Sequence, residues 1–271
     1  MPETRRKRRQ INLRKSLFVL PSLVTLSSVF CGFDAIRIAA TSTGPDDFYR
    51  ASLLIIFAMF FDMLDGRVAR MTKTQSAFGL QIDSLADIVS FGVAPAIVVY
   101  QWSLKHHPTA GLLASFAFVA CGAIRLARFN VLSMGESGKP TKPGKYIVGL
   151  PIPGAAGILI SIVVANHASG SSLAEEAWSW PVLGLTLLLA FLMVSTIPFR
   201  SFKDIKLNIW TALMVLFVIV SSAVVWSRLK PAFVLVWLLG VYVLVGIVEA
   251  IVSIPRRIRE RRSQPQTPPA P

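Results

Sequence analysis

Residues 62–87 read Asp62-Met-Leu-Asp65-Gly66-Arg-Val-Ala69-Arg70-Met-Thr-Lys-Thr-Gln-Ser-Ala-Phe-Gly79-Leu-Gln-Ile-Asp83-Ser-Leu-Ala-Asp87. Apolar runs flank them, Leu53-Leu-Ile-Ile-Phe-Ala-Met-Phe-Phe61 before and Ile88-Val-Ser-Phe-Gly-Val-Ala-Pro-Ala-Ile-Val-Val99 after. Asp62 and Asp65 are three apart and Asp83 and Asp87 four apart, so on helices each pair occupies one face. The polar link between them is too short for more than a turn, so the two acidic faces can meet. Four carboxylates converging in an apolar setting repel one another and lose hydration. One or two divalent cations would offset both costs.

Working outward, the chain has 271 residues, 54% of them hydrophobic, with a mean hydropathy of +0.60. Apolar runs of about 18 or more residues are read as spanning helices. Eight are present, near 17–40, 50–68, 84–104, 109–129, 148–167, 180–198, 207–226 and 231–253. The expected fold is all-α: a polytopic membrane helix bundle of about eight spans, with both termini in the cytosol. Its parts are a basic segment 1–16, a membrane-embedded catalytic domain 17–253 and a tail 254–271 that is basic, then proline-rich and disordered by composition.

The net charge of +14 would suit nucleic acid, but its placement points to topology instead. With the N-terminus inside, the cytosolic segments hold most of the 28 Lys and Arg, including Arg5-Arg-Lys-Arg-Arg9 and Arg256-Arg-Ile-Arg-Glu-Arg-Arg262. The opposite side has Lys105, Arg228 and Lys230 among Asp46, Asp47, Glu175 and Glu176. This is the positive-inside pattern, and the basic clusters also suit anionic lipid. No nucleic-acid partner is expected. Cys31 and Cys121 fall within spans and form no disulfide or metal spacing. The first apolar run lacks a small-residue cleavage site and reads as a retained helix.

On this topology both acid pairs lie at one depth, just beneath the cytosolic headgroups. Ionisable groups within a span are functional candidates by default. The alternative is ion-paired packing, for instance Asp62 or Asp65 with Arg67 or Arg70, but four acids exceed the local bases. Gly66 and Ala69 lie on the face beside Asp62 and Asp65, and Gly79 one turn before Asp83. Such small residues let a ligand, or a second helix, approach the backbone. Arg70 at the membrane surface would suit a phosphate. Oxygen ligands in this number favour Mg²⁺ or Mn²⁺.

The pattern Asp-x2-Asp-Gly-x2-Ala-Arg-x8-Gly-x3-Asp-x3-Asp, Asp62 to Asp87, resembles without departure the signature of the CDP-alcohol phosphotransferases. Members of that family displace CMP from a CDP-linked lipid or alcohol with a hydroxyl. Further stretches are similar to its bacterial and archaeal CDP-diacylglycerol–serine branch. They are Asp83-Ser-Leu-Ala-Asp87-Ile-Val-Ser90-Phe-Gly92-Val-Ala-Pro95, Leu20-Pro-Ser-Leu-Val-Thr-Leu-Ser-Ser-Val-Phe-Cys-Gly32, Arg125-Leu-Ala-Arg128-Phe-Asn130 and Gly149-Leu-Pro-Ile-Pro153. Ile88 stands where glycerol-phosphate-using members typically place lysine. The resemblance implies substrates CDP-diacylglycerol and L-serine and a homodimer in the cytoplasmic membrane. It implies a site for divalent metal, two ions, on Asp62, Asp65, Asp83 and Asp87, with Asp87 also the general base. The nucleotide would lie along Gly66, Ala69, Arg70 and Gly79.

For the serine zwitterion the expected contacts are Arg125 and Arg128, three apart at the cytosolic end of their span, with Asn130 and Ser90. Snorkelling is the competing reading of both arginines. Asp34 and Arg37 are expected to pair near the outer end of the first span. Glu249 has no assignment, and Lys139, Lys142 and Lys145 read as a solvated loop. A phospholipase D-like mechanism needs paired His-x-Lys motifs, and His106, His107 and His167 have no such spacing. The alternatives are a sibling transferase using inositol phosphate or glycerol phosphate and, more distantly, an ion-coupled transporter. A transporter would spread its acids through the membrane's depth.

Overall fold

The computed structural model describes residues 13–71, 77–133, 146–170, 173–200, 220–222, 224–225, 227, 233–241 and 243–245. Helix α1 covers Leu13–Ala40, and α2, Pro45–Met71, returns beside it. The third rod starts as α3, Ala77–Asp87, widens into a π-helical turn over Ile88–Val93, and ends as α4, Ala94–Trp102. After a 3₁₀ turn at Leu104–His106 come α5 (Pro108–Ser133), α6 (Ile152–Ser169) and α7 (Glu176–Val194). The expected helical membrane bundle is what these residues form. Five helical stretches, Ser22–Ala40, Ala77–Trp102, Pro108–Ser133, Ile152–Ser169 and Glu176–Val194, are long and apolar enough to cross a membrane. α2 is also long enough, about 40 Å at 1.5 Å per residue, but carries the acids.

α2 and α5 overrun their apolar runs at both ends and the third rod starts earlier than its run, so Gly79 and Asp83 lie inside a helix. By contrast, α6 starts later and α7 ends earlier than its run indicated. The spans expected at 207–226 and 231–253 fall mostly outside the described residues, as do Glu249, Lys139, Lys142, Lys145 and both terminal basic clusters. Helical residues at 233–241 and 243–245 belong to the last of those spans.

The packing is that of a membrane bundle. Ala35, Ala51, Ala58, Ala155 and Ala156 are fully buried, and such small side chains let helices approach closely in a solvent that does not drive them together. Phe30, Phe33, Phe57, Phe60, Phe116 and Phe191 point outward, where lipid tails are as apolar as they are. The larger buried side chains, Phe91, Phe118, Leu159, Ile160 and Met193, gather on α5, α6, α7 and the wide turn.

Consecutive rods alternate in direction, and their end contacts define two poles. At one, His167 Nε2 lies 2.8 Å from Asp46 Oδ1 and His106 Nε2 lies 3.1 Å from the Ala174 carbonyl, while His107 packs on Trp180. Asp34 and Arg37 pair at 2.7 Å, as expected. All three histidines are thus remote from the acids. The other pole holds residues 62–87.

At the acid pole a two-stranded antiparallel pair, β1 (Tyr146–Val148) with β2 (Pro198–Arg200), joins the links after α5 and α7. Three-residue strands leave no periodicity to read, and the sequence expectation had none. Just beyond β1, Gly149 has φ +81° and donates its N–H to the Ile197 carbonyl, and Leu150 N–H donates to Leu192.

Candidate active site

α2 brings Asp62 and Asp65, and α3 brings Asp83 and Asp87. Carboxylate oxygens of Asp62, Asp83 and Asp87 all lie within 4.8 Å of one another. Two oxygens bound to one cation at 2.0–2.6 Å stand no more than about 5 Å apart, so this set fits a divalent ion. The donors are hard oxygens throughout, which suits Mg²⁺ or Mn²⁺ and not a thiophilic metal.

Asp65 is held differently from the other three. Its Oδ2 accepts a hydrogen bond from Thr25 Oγ1 of α1 at 2.6 Å, and both residues are buried. The i,i+3 spacing placed Asp65 on the right face, but spacing does not set a rotamer. Gly66, Ala69 and Arg70 follow in the last turns of α2, and Gly79 is in the first turn of α3.

The residues proposed for the acceptor separate into distinct environments. Arg125 is buried on α5, with its guanidinium 5.9 Å from the Phe129 ring centroid and near enough to Asp87 for its charge to act there. Arg128 instead donates from Nη1 to the Val194 carbonyl at 3.0 Å. That carbonyl closes α7, where a cation satisfies an orphan acceptor and the helix dipole together. Asn130 Nδ2 donates to Ser84 Oγ at 2.9 Å and to Gln81 Oε1 at 3.3 Å, tying α5 to α3 beside Asp83. Ser90, fully buried, donates to the Ser28 carbonyl of α1 at 3.0 Å. Arg128, Asn130 and Ser90 thus bond to neighbouring helices, while the buried Arg125 is the one of the four whose charge acts on Asp87.

The turn after Asp87 is wide because Ala94 N–H reaches back five residues to the Val89 carbonyl. Pro95 follows at the start of α4 and has no N–H to give. Such turns concentrate at functional sites. Thr25, Ser28, Ser84 and Gln81 were not foreseen. Their signal was a hydroxyl or amide within a largely apolar helix, and for Thr25, Ser28 and Ser84 a place in the stretches that carry the resemblance.

Residues 18–192 match the CDP-alcohol phosphatidyltransferase family. A CDP-diacylglycerol–serine O-phosphatidyltransferase of Helicobacter pylori is 36% identical over 235 residues, covering 87% of this chain and 92% of that one. Proteins of the same name from Mycobacterium bovis (33% identity, 97% of this chain, 85% of theirs) and Methanocaldococcus jannaschii (31%, 70% and 78%) are also similar. The chain belongs to the CDP-alcohol phosphatidyltransferase family, and it is a multi-pass membrane protein.

Proposed function

We infer that this chain transfers the phosphatidyl group of CDP-diacylglycerol to the hydroxyl of L-serine, yielding phosphatidylserine and CMP. The observation that carries the reading is the convergence of Asp62, Asp83 and Asp87 from two helices in a chain of this family. A transferase family also removes the ion-coupled transporter from consideration.

A divalent ion held by these aspartates, with Asp65 as a further ligand, would neutralise the donor's diphosphate. The serine oxygen attacks the phosphorus that carries the diacylglycerol, the bond to the CMP oxygen breaks, and Asp87 takes the hydroxyl proton. Arg125 holds the serine carboxylate, and its charge keeps the neighbouring Asp87 carboxylate in place. Gly66, Ala69, Arg70 and Gly79 are the residues that bind the nucleotide on this reading. An open apolar cavity of about 420 Å³, lined by Leu23, Leu26, Ser27, Phe30, Cys31 and Phe61, supplies lipid-compatible surface. Phe61 immediately precedes Asp62, so acyl chains lying there keep the headgroup at the acids. The working form is a homodimer in the cytoplasmic membrane.

Purified protein given CDP-diacylglycerol, Mn²⁺ or Mg²⁺ and a panel of alcohols should release CMP fastest with L-serine. Faster release with inositol phosphate or glycerol phosphate would replace the acceptor. Within that assay Arg125→Lys keeps the charge but loses the paired donor geometry. It should raise the KM for serine about tenfold, since a charge-assisted hydrogen bond contributes roughly 1.5–3 kcal/mol. The KM for the lipid should move little. Arg128→Lys should leave the serine KM unchanged, because Arg128 serves the end of α7. A serine KM that rises only for Arg128→Lys would exchange the two roles.

The positive-inside pattern supports termini and active site on the cytosolic side. Gln75→Cys should then label from the cytosol, and Asp46→Cys and Ser172→Cys from the outside. Labelling of position 75 from outside would invert the orientation.

A further inference from the structure

Between Ser16 and Phe33, α1 carries no charged residue, yet it fastens both helices that bear the acids. Its contacts form a seam at Thr25, Ser28 and Gly32, spaced three and four apart and so on one face. Thr25 Oγ1 donates to Asp65 Oδ2 at 2.6 Å. One turn on, Ser90 Oγ donates to the Ser28 carbonyl at 3.0 Å and accepts from Ser28 Oγ at 3.4 Å. At the next turn Gly32 admits the Ser90 backbone so closely that a Cβ there would stand 2.7 Å from Ser90 Cα. Thus α1 is fixed to α2 at Asp65 and to the third rod directly after Asp87.

We propose that Thr25 is a positioning residue for the cation site, setting the orientation of the Asp65 carboxylate and the seat of α2 against Asp83 and Asp87. This rests on the metal-site reading above. The hydrogen bond is short and charge-assisted, and it engages one oxygen of Asp65. A carboxylate has two oxygens and about four acceptor directions, so the one donor from Thr25 leaves acceptor capacity for a ligand. Removing the hydroxyl takes away the donor by which α1 holds this carboxylate in its rotamer. Partners that orient a metal ligand in this way typically change metal affinity 10- to 100-fold.

The test uses the purified full chain in nanodiscs, with Mn²⁺ binding read from the loss of the free-ion EPR signal and CMP release measured across a Mn²⁺ titration. Thr25→Val, which is isosteric and lacks the hydroxyl, should weaken Mn²⁺ binding about 10- to 100-fold. The Mn²⁺ concentration for half-maximal rate should rise by a similar factor. Thr25→Ser restores the donor and should recover most of the affinity. Wild-type affinity in Thr25→Val, or an equal loss in Thr25→Ser, overturns the role of the hydroxyl. Asp83→Asn separates the two levels of the argument. Binding that survives this substitution overturns the metal site itself, and the positioning role with it.

Discussion

Asparagine at Asp62, Asp83 or Asp87 is expected to lower CMP release by roughly a thousandfold or more, equivalent to about 4 kcal/mol of transition-state stabilisation. Asparagine preserves size and can still accept a hydrogen bond, but it removes the negative charge that the proposed cation site requires. The three carboxylates lie within 4.8 Å of one another, so all three can reach one cation, and on the proposed reading none can substitute for another. Asp65→Asn should lose less, roughly a hundredfold, because its carbonyl still accepts from Thr25 and only the charge is gone. Turnover at saturating substrate, compared among variants that elute as monodisperse protein, measures this. Near-normal rates in two of the three would remove the acidic centre from the mechanism.

Gly149→Ala should be the most damaging small substitution in the described fold. A Cβ at Gly149 would stand 2.3 Å from the Met193 carbonyl oxygen, which is backbone, and the residue already has φ +81°. The strained conformation and the clash together should cost at least about 3 kcal/mol. Gly170 provides the comparison. Its φ is +64°, but nothing lies within 4 Å of an added Cβ, so Gly170→Ala should cost only about 1–2 kcal/mol. Melting of the two variants in detergent should place Gly149→Ala several degrees below Gly170→Ala. Equal midpoints would mean that the α5–α6 link yields around the new methyl group and does not hold the end of α7.

The acidic centre was legible because its signal is both chemical and periodic. Aspartates are rare in apolar spans, and spacings of three and four fix which ones share a helical face. Which face a residue occupies does not decide what it touches. Arg125 and Arg128 are three apart and looked equivalent, yet one is buried with its charge acting on Asp87 and the other ends α7 at Val194. The difference lies in the position of α7, which is distant in sequence. Asp65 was placed with its neighbours for the same reason, and its bond to Thr25 depends on how α1 packs. The short β pair had no readable pattern at all. The wide turn left one trace, Pro95, whose missing N–H makes regular helix hydrogen bonding impossible at that point.

That turn divides residues 77–102 into two angular phases. A regular helix advances about 100° per residue, whereas the five-residue reach from Ala94 to Val89 winds more slowly. The face carrying Asp83 and Asp87 and the face that α4 buries around Val98 and Trp102 therefore cannot be laid on one helical wheel. Each half answers to different neighbours: α3 packs on α1 and α5, and α4 on α1, α2, α5 and α6. A graft, a scan of substitutions or a redesign across this rod must treat Ala77–Asp87 and Ala94–Trp102 as separate helices with an offset between them. A single 3.6-residue repeat imposed from end to end would keep one half in register and turn the other away.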